Sequence, residues 1–392
     1  MTDLLIKGGQ VIDPSQNLRG KLDVAVNDGV ISQIAPHIES AEASQIIDAS
    51  GKVVTPGLID LHCHVYEAVV STGVNPDLVG IRSGVTTLVD GGSAGCYTFG
   101  GFPRYVVPRA KTRLFCLLNI AGTGLARLPD MTARGDIDLD ETVRVIQANK
   151  PLIQGVKLRA VSPAVSTMGI EIVHLAKRAA KEGGVRLMVH IGDTDAGDGP
   201  TLTRELLPLM ESGDILTHLF NGNPGRILDD GGKVIPEILE AQDRGVFMDT
   251  AYGRHNFSFD IARRALDQGV TPQSISTDVS VPGRKNAVHS MTEMLGRFLA
   301  LGFSLEEVIR MTTANPAKAL DMEDVLGSLE VGRDADITVL EEATGDWIFR
   351  DTVGETLKGA KALVPVVTVK DGQVFSPDWG PRPWGWLPES AS

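Results

Sequence analysis

The chain has 392 residues, of which 42% are hydrophobic and 22% charged, and a formal net charge of −13. This length allows roughly two to three domains, although a single barrel can occupy about 250 residues. The composition is too apolar for a disordered chain. The acidic balance argues against nucleic acid and anionic membranes as partners. We therefore expect a globular protein with a large core and neither of these partners.

The cysteine content and the first residues bear on the cellular compartment. The three cysteines, Cys63, Cys96 and Cys116, form no recognisable disulfide framework. Segment 1–9 has an early acidic residue and a short apolar run, unlike a signal peptide. No apolar stretch is long enough to span a bilayer. The sequence predicts a cytoplasmic protein.

The predicted secondary-structure pattern changes twice along the chain. In residues 1–54 short β-like runs alternate with glycine turns, and residues 325–376 show the same alternation. Residues 55–324 alternate apolar strands with helix-like segments, which is typical of repeated βα units, so we predict an α/β fold with a barrel-sized central block. The tail, 377–392, is rich in tryptophan and proline, and we expect it to pack on its own chain or on a partner subunit. The clearest helix-like segments are 139–149, 169–182 and 259–268.

The most informative motif is a pair of histidines at the end of the apolar run 53–61. His62 and His64 are two residues apart, so both side chains of an extended segment point to the same side. Imidazole is the commonest metal-ligand side chain. We therefore predict that this strand end supplies two ligands to a metal ion.

Four later β-like runs each bring one further polar residue to a strand end. These residues are Lys157, His190, His218 and Asp278. In a parallel barrel such ends lie on one face, where catalytic groups converge. A lone histidine on an apolar strand is more often a core or surface residue than a ligand, and Lys157 alone would be a lysine in a salt bridge at the barrel mouth. The ordered set favours a metal site instead.

The ordered set resembles the amidohydrolase superfamily. Binuclear members of that superfamily use a His-x-His after the first barrel strand, a carboxylated lysine on the fourth, histidines on the fifth and sixth, and an aspartate on the eighth. The resemblance continues through Gly84–Asp90, Thr313–Leu320 and Gly327–Val339, and so covers nearly all of the chain. The residues that match the ligand positions one for one are His62, His64, Lys157, His190, His218 and Asp278.

The resemblance implies both an architecture and a cofactor. We expect a (β/α)8 TIM-like barrel over residues 55–324 and a small β-sandwich domain formed from residues 1–54 and 325–376. We also expect two divalent metal ions, zinc by default for mixed imidazole and oxygen ligands, bridged by a carbamate on Lys157. A metal-bound hydroxide would attack the substrate, and Asp278 would take the proton and pass it to the leaving group. The resemblance assigns the first ion to His62, His64 and Asp278, and the second to His190 and His218.

Five residues are predicted to contact the substrate. Arg159 is two residues beyond the bridging lysine and should point to the same face of the strand. Its guanidinium could then donate paired hydrogen bonds to a substrate carboxylate, with a structural salt bridge as the alternative. Tyr252, His255 and Ser258 follow the seventh strand, so their loop should overhang the site. Cys96 follows the second strand, in a region where D-aminoacylase-like relatives place a metal-ligating cysteine. We expect Cys96 to line the pocket, with buried packing as the alternative.

The resemblance also favours one branch of the superfamily. Gly91–Gly95, Val156–Arg159 and His218–Asn221 look closer to the amidohydrolase/deacetylase branch than to the dihydroorotases. We therefore predict a hydrolase that cleaves an amide or ester bond of a small acylated carboxylate, of the N-acetyl amino acid or O-acetyl hydroxy acid type, and that forms a homo-oligomer. The alternatives are a cyclic amidase of the dihydroorotase or hydantoinase kind, a mononuclear deaminase and a non-catalytic barrel scaffold.

Overall fold

The first part of the chain contributes five strands to a mixed sheet. The computed structural model describes residues 2–39 and 43–391, so Met1, residues 40–42 and Ser392 of the predicted domains lie outside the described residues. The strands are β1 (Thr2–Asp13), β2 (Leu18–Asn27), β3 (Val30–Ala35), β4 (Ala43–Asp48) and β5 (Val53–Pro56). β1 pairs antiparallel with β2 and parallel with β4 and β5, and β2 pairs with β3.

Seven parallel strands then form the wall of a barrel, side by side in chain order. They are β6 (Leu58–Cys63), β7 (Val85–Asp90), β8 (Arg113–Asn119), β9 (Ile153–Arg159), β10 (Arg186–His190), β11 (Ile215–Thr217) and β12 (Phe247–Met248). Most of their residues are buried, as expected for parallel strands covered on both faces. Segment 274–279 takes the eighth position, because Ser274 bridges to Asp249 and Val279 to Cys63 in parallel. These bridges close the wall, and the predicted α/β barrel is confirmed.

Helices follow most of the barrel strands. They are α1 (Pro76–Val79), α2 (Leu139–Ala148), α3 (Ala164–Met168), α4 (Glu171–Gly183), α5 (Thr203–Leu206), α6 (Pro236–Asp243), α7 (Phe259–Asp267), α8 (Val281–Asn286), α9 (Met291–Ala300), α10 (Leu305–Arg310) and α11 (Ala314–Ala319). The three segments predicted as helix-like correspond to α2, α4 and α7. Side-chain caps mark the starts of α2 and α7: Asp138, for example, caps α2 by accepting a hydrogen bond from Glu141 N. In the part of the chain that the structure describes, no helix is long and apolar enough to cross a membrane.

The last strands return to the sheet that the first five began. They are β13 (Ile337–Arg350), β14 (Thr356–Lys370), β15 (Gln373–Phe375) and β16 (Glu389–Ser390). β13 pairs with both β5 and β14, so the two ends of the chain share one sheet. The pairing runs continuously in the order β15, β14, β13, β5, β1, β2, β3. The predicted unit built from both termini is therefore a mixed sheet with its own cluster of buried side chains.

Residues 377–391, here called the C-terminal strap, lie along the outside of their own chain. Asp378 N donates to Arg82 O at 3.1 Å, and β16 at the end of the strap pairs antiparallel with β13. Trp379 and Trp384 remain 74% and 58% exposed. The strap is thus anchored by backbone and ionic contacts more than by burial of these two indoles.

The apolar run that ends in the histidine pair is divided between the two sheets. Its uniform composition predicts one strand, yet β5 belongs to the terminal sheet and β6 opens the barrel, with Gly57 between them. A Cβ atom on Gly57 would lie 2.1 Å from Thr86 Oγ1. The chain therefore passes from one sheet to the other at a point where only glycine fits against the second barrel strand.

Gly57→Ala should lower the free energy of unfolding by about 1–3 kcal/mol, because the added methyl group has to displace the Thr86 side chain from a packed site. Urea denaturation measures the change. Gly20→Ala in β2 is the matched control, since its added Cβ would meet no neighbour closer than 3.7 Å. Equal effects of the two substitutions would contradict the role assigned to the contact with Thr86.

Candidate metal centre

The barrel brings the six predicted ligands to the base of one cavity. They are His62 in β6, His64 directly after β6, Lys157 in β9, His190 at the end of β10, His218 directly after β11 and Asp278 in the closing segment. All six line the same cavity of about 180 Å³. Their elements end on one face of the barrel, where catalytic groups of such folds meet.

Asp278 and His62 form the first half of the cluster. Asp278 Oδ1 lies 3.1 Å from His64 Nε2 and 3.7 Å from His62 Nε2. Lys157 Nζ lies 3.1 Å from the same His62 nitrogen. Asp278 N donates to His62 O at 2.6 Å, so the two strand ends are held together by their backbones. One carboxylate, two imidazoles and an amine therefore converge.

His218 connects this group to the second half. Its ring centroid lies 5.1 Å from that of His62 and 4.1 Å from that of His190. The donor atoms of His62, His218 and Asp278 all lie within 4.8 Å of one another. Among the described residues, nothing hydrogen-bonds the buried Nε2 of His218, and such a buried polar atom is costly unless it has a partner. The donor set thus fits a divalent metal ion.

Hydrogen bonds behind the cluster orient His62. Asp249 accepts hydrogen bonds from the hydroxyls of Thr217, Ser274 and Ser276 at 2.6 to 2.7 Å. Because the Thr217 hydroxyl donates to Asp249, it accepts from His62 Nδ1, which lies 3.0 Å away. His62 Nε2 is therefore the nitrogen left for the cluster, as in metal sites whose histidines are fixed by an outer carboxylate.

The other ligands are held by the backbone around them. His218 Nδ1 donates to Ala251 O at 2.8 Å, and His64 Nδ1 lies 2.9 Å from Ser93 Oγ. His218 and Asp278 have φ angles of +68° and +48°. This left-handed conformation is uncommon for residues with a side chain and is found at functional sites as well as in turns. The fold thus holds both candidate ligands in backbone conformations that residues with a side chain adopt infrequently.

Burial sets the protonation states that a metal needs. Loss of hydration lowers the pKa of His62, of His190 and, to about 3, of His218. Burial opposes ionisation of Asp278, yet the imidazoles that face it hold the pKa of this carboxyl below its ordinary value. Burial also lowers the pKa of Lys157 to about 7. Neutral imidazole and ionised carboxylate are the forms that bind metal ions.

Arg159 and His255 lie on the wall of the same cavity. Arg159 Nη1 donates to Asp130 Oδ1 at 2.8 Å, and Asn119 Nδ2 donates to the other oxygen of that carboxylate at 3.3 Å. The guanidinium of Arg159 is therefore both salt-bridged and in contact with the cavity. His255 reaches the cavity from the loop after β12.

Three predicted substrate contacts, Cys96, Tyr252 and Ser258, are not among the residues that line the cavity. Cys96 is packed in the barrel core, where burial raises the pKa of its thiol. Tyr252 is buried and its hydroxyl donates to Arg350 O at 2.5 Å. Ser258 caps α7 by accepting a hydrogen bond from Ile261 N at 3.3 Å. Position in a loop near the site does not decide which way a side chain points.

The sequence reasoning missed three residues that support the site. Asp249 directly follows β12, so the signal that selected the other ligands, a polar residue at the end of a buried strand, would have found it. Thr217 precedes a selected histidine and carried no distinct signal. Asp130 lies in an irregular loop, and only the folded chain reveals that it holds Arg159.

Imidazole and carboxylate donors at the carboxyl ends of barrel strands are typical of metal-dependent barrel hydrolases. Comparison with known sequences agrees with this class. Residues 257–375 match the model of the amidohydrolase family. A deacetylase from Agrobacterium fabrum is 32% identical over 343 residues, which cover 86% of this chain and 82% of that protein. The chain belongs to the amidohydrolase family, and its predicted membership is confirmed.

Two solved structures resemble nearly the whole chain. A crystal structure of an adenine deaminase has a TM-score of 0.87 and 30% identity, and the match covers 96% of this chain and 100% of that one. A crystal structure of a dihydroorotase has a TM-score of 0.87 and 29% identity, with coverages of 96% and 98%. Proteins of this fold thus carry different names, so the fold does not identify the substrate, which depends on the residues of the site.

Lys157→Met should change how the stability of the metal-free protein depends on pH. In the unfolded chain the lysine is protonated up to about its ordinary pKa of 10.5, whereas the folded chain holds it neutral above about 7. Folding therefore releases a proton between these values and becomes more favourable as pH rises. Relative to Lys157→Met, the wild type should gain up to a few kcal/mol between pH 7 and pH 10. Urea denaturation at both pH values measures this, and equal gains in the two proteins would contradict a buried neutral lysine.

Proposed function

We propose that this amidohydrolase cleaves an amide or ester bond of a small acylated carboxylate, of the N-acetyl amino acid or O-acetyl hydroxy acid type. The observation that carries the proposal is the position of Arg159 on the wall of the cavity that has the ligand cluster at its base. Arginine recognises carboxylates through paired N–H donors. Similarity to a deacetylase supports an acyl group as the part that is removed. A cyclic amidase is the less favoured alternative.

Two divalent ions, zinc by default, are part of this proposal. A carbamate on Lys157 would bridge them, and burial supports it because carbamates form from the neutral amine and the pKa of Lys157 is lowered to about 7. Shared negative charge is needed between two close cations. The residues that would hold the first ion are His62, His64 and Asp278, and those for the second are His190 and His218.

The side chains around the cluster have separate tasks in this reaction. Bound divalent ions would activate a water molecule and polarise the acyl carbonyl. Asp278 takes the proton of the attacking water and returns it to the leaving group, a step that contributes about a hundredfold to ten-thousandfold to the rate. Its Oδ1 faces His64, and its Oδ2 lies 3.5 Å from Asn256 Nδ2. Arg159, held by Asp130, binds the substrate carboxylate and so fixes the acyl group over the cluster.

A hydrolysis screen with zinc-loaded protein tests the proposal. The substrates are acetylated carboxylates, cyclic amides and cyclic esters in both enantiomers, together with adenine. We expect acetate release from the acetylated carboxylates and about two zinc ions per chain. His218→Asn should keep the fold but lose one ion and most of the turnover, because one ligand is deleted. Metal analysis and circular dichroism on the same samples check both statements.

The screen also distinguishes the alternatives. Ring opening of cyclic amides without release of acetate would replace the proposal with a cyclic amidase. One ion per chain together with deamination of adenine would identify a mononuclear deaminase. A folded protein that binds no metal and cleaves nothing would be a barrel scaffold.

Arg159→Lys should reduce kcat/KM on an acetylated carboxylate by roughly ten- to hundredfold, because the positive charge remains while the paired N–H donors are lost. The methyl ester of the same substrate carries no carboxylate and serves as the control. On that ester the variant and the wild type should be nearly equal. The same loss on both substrates would instead assign Arg159 to the structural salt bridge with Asp130.

A further inference from the structure

The C-terminal strap makes one buried contact in addition to its exposed ones. Arg382 of the strap donates from Nη2 to Glu293 Oε2 at 2.5 Å. Glu293 lies in α9 and accepts at its other oxygen from Arg297 Nη2, at 2.9 Å. All three side chains are at least nine-tenths buried. We call Glu293, Arg297 and Arg382 the charged triad.

The charged triad lies against the ring of Tyr252. The Cζ atom of Arg297 is 4.3 Å from the centroid of that ring, within the range of a cation–π contact. The ring of Phe257 is also stacked on that of Tyr252, with 5.0 Å between the ring centroids. The Tyr252 hydroxyl donates to Arg350 O at 2.5 Å. The tyrosine ring is thus held by the triad, by an aromatic ring and by a backbone oxygen.

Residues 251–256, here called the ligand loop, carry this ring and also touch the metal centre. Ala251 O accepts the hydrogen bond of His218 Nδ1. Gly253, with φ of +59°, approaches the Asp278 carboxylate so closely that a Cβ atom there would lie 2.2 Å from Oδ2. The loop that bears Tyr252 therefore sets the orientation of two of the six ligands.

We propose that the C-terminal strap is a positioning element of the metal centre, acting through the charged triad and the ligand loop. Arg382 fixes the carboxylate of Glu293, and that carboxylate holds Arg297 on the ring of Tyr252. The ring anchors the ligand loop, and the loop orients its two metal ligands. None of the described residues 377–391 lines the substrate cavity or forms a hydrogen bond or ion pair with the six candidate ligands, so the strap acts only through these intermediate groups.

The physical basis of this coupling is the free-energy cost of a buried charge that lacks one of its ionic partners. Glu293 is buried, so a missing partner leaves one carboxylate oxygen without its ionic hydrogen bond. The carboxylate can then rotate toward water in the adjoining cavity, which Arg382 and Trp384 of the strap also line. The Glu293 carboxylate then no longer holds Arg297 in one position. The Arg297 guanidinium can adopt several arrangements, and only one of them contacts the Tyr252 ring.

Arg382→Ala tests the proposal in the full-length protein. Hydrogen exchange of the metal-free protein should accelerate in the ligand loop, and zinc loss to a chelator from the loaded protein should accelerate roughly two- to thirtyfold. The matched control is Arg82→Ala, which removes the more exposed ion pair between Arg82 and Asp378 of the strap. That control should raise exchange in the strap alone and leave zinc retention unchanged.

Unchanged exchange in the ligand loop and wild-type zinc retention in Arg382→Ala would overturn the proposal. A lower melting temperature alone, with both readouts unchanged below it, would mean that Arg382 has only a structural role. If Arg382→Ala does not fold, Arg382→Gln keeps a hydrogen-bond donor without the charge and is judged by the same two readouts. The zinc readout rests on the proposed function, whereas the exchange readout does not. A wild type that binds no zinc would refute the proposed function and leave the exchange test standing.

Discussion

The candidate metal centre depends on the closure of the barrel between β6 and segment 274–279. Asp60 makes that closure specific: its carboxylate accepts hydrogen bonds from the backbone N and the hydroxyl of Thr277, 217 positions away, at 3.1 and 2.5 Å. It also accepts one from His62 N at 3.3 Å. Burial raises the pKa of Asp60 to about 7, because a charged carboxylate is costly inside the barrel wall. The closure brings candidate ligands from the first and last barrel segments close enough together to bind one ion.

Burial has opposite effects on the two kinds of group at this closure. It keeps the imidazoles neutral and so ready to bind a metal, and it would also neutralise the carboxylates if they were alone. Asp249 stays ionised: burial opposes its ionisation, but the nearby imidazole of His62 and the hydroxyl donors Ser274 and Thr217 hold its pKa below the ordinary value. A ring of hydroxyl donors thus maintains one buried anion behind the cluster. In metal sites such outer contacts fix the orientation of the ligand side chains.

The ligand loop illustrates how a site can be supported from the side that the substrate never meets. Tyr252 was expected at the substrate, but its ring contacts Arg297 and Phe257, and Tyr252 is not among the residues that line the cavity. His255, three residues further on, reaches the cavity. This short loop therefore carries both a buried side chain that anchors it, Tyr252, and a side chain that faces the cavity, His255. The two side chains point in different directions.

The candidate ligands could be predicted because each is a polar residue at the end of a short apolar strand, and parallel strand ends share one face. The substrate contacts were less predictable. Arg159 follows strand periodicity, and it lies on the cavity wall as expected. Cys96 and Ser258 lie in irregular segments that have no fixed period, so their directions depend on neighbours that are remote in sequence. The role of Asp130 cannot be predicted from the sequence for the same reason, because Asp130 acts only through its contact with Arg159.

By itself, the sequence determined the alternation of strands and helices, the strand ends that carry polar residues, and hence the family. These features are local, because a period of two or of 3.6 residues is imposed by backbone geometry wherever the chain folds. Only the tertiary structure decided that the apolar run divides at Gly57, that Asp60 closes the barrel, and that Tyr252 faces the charged triad. Each of these outcomes depends on close contact between segments far apart in the chain, and no local pattern encodes such a contact.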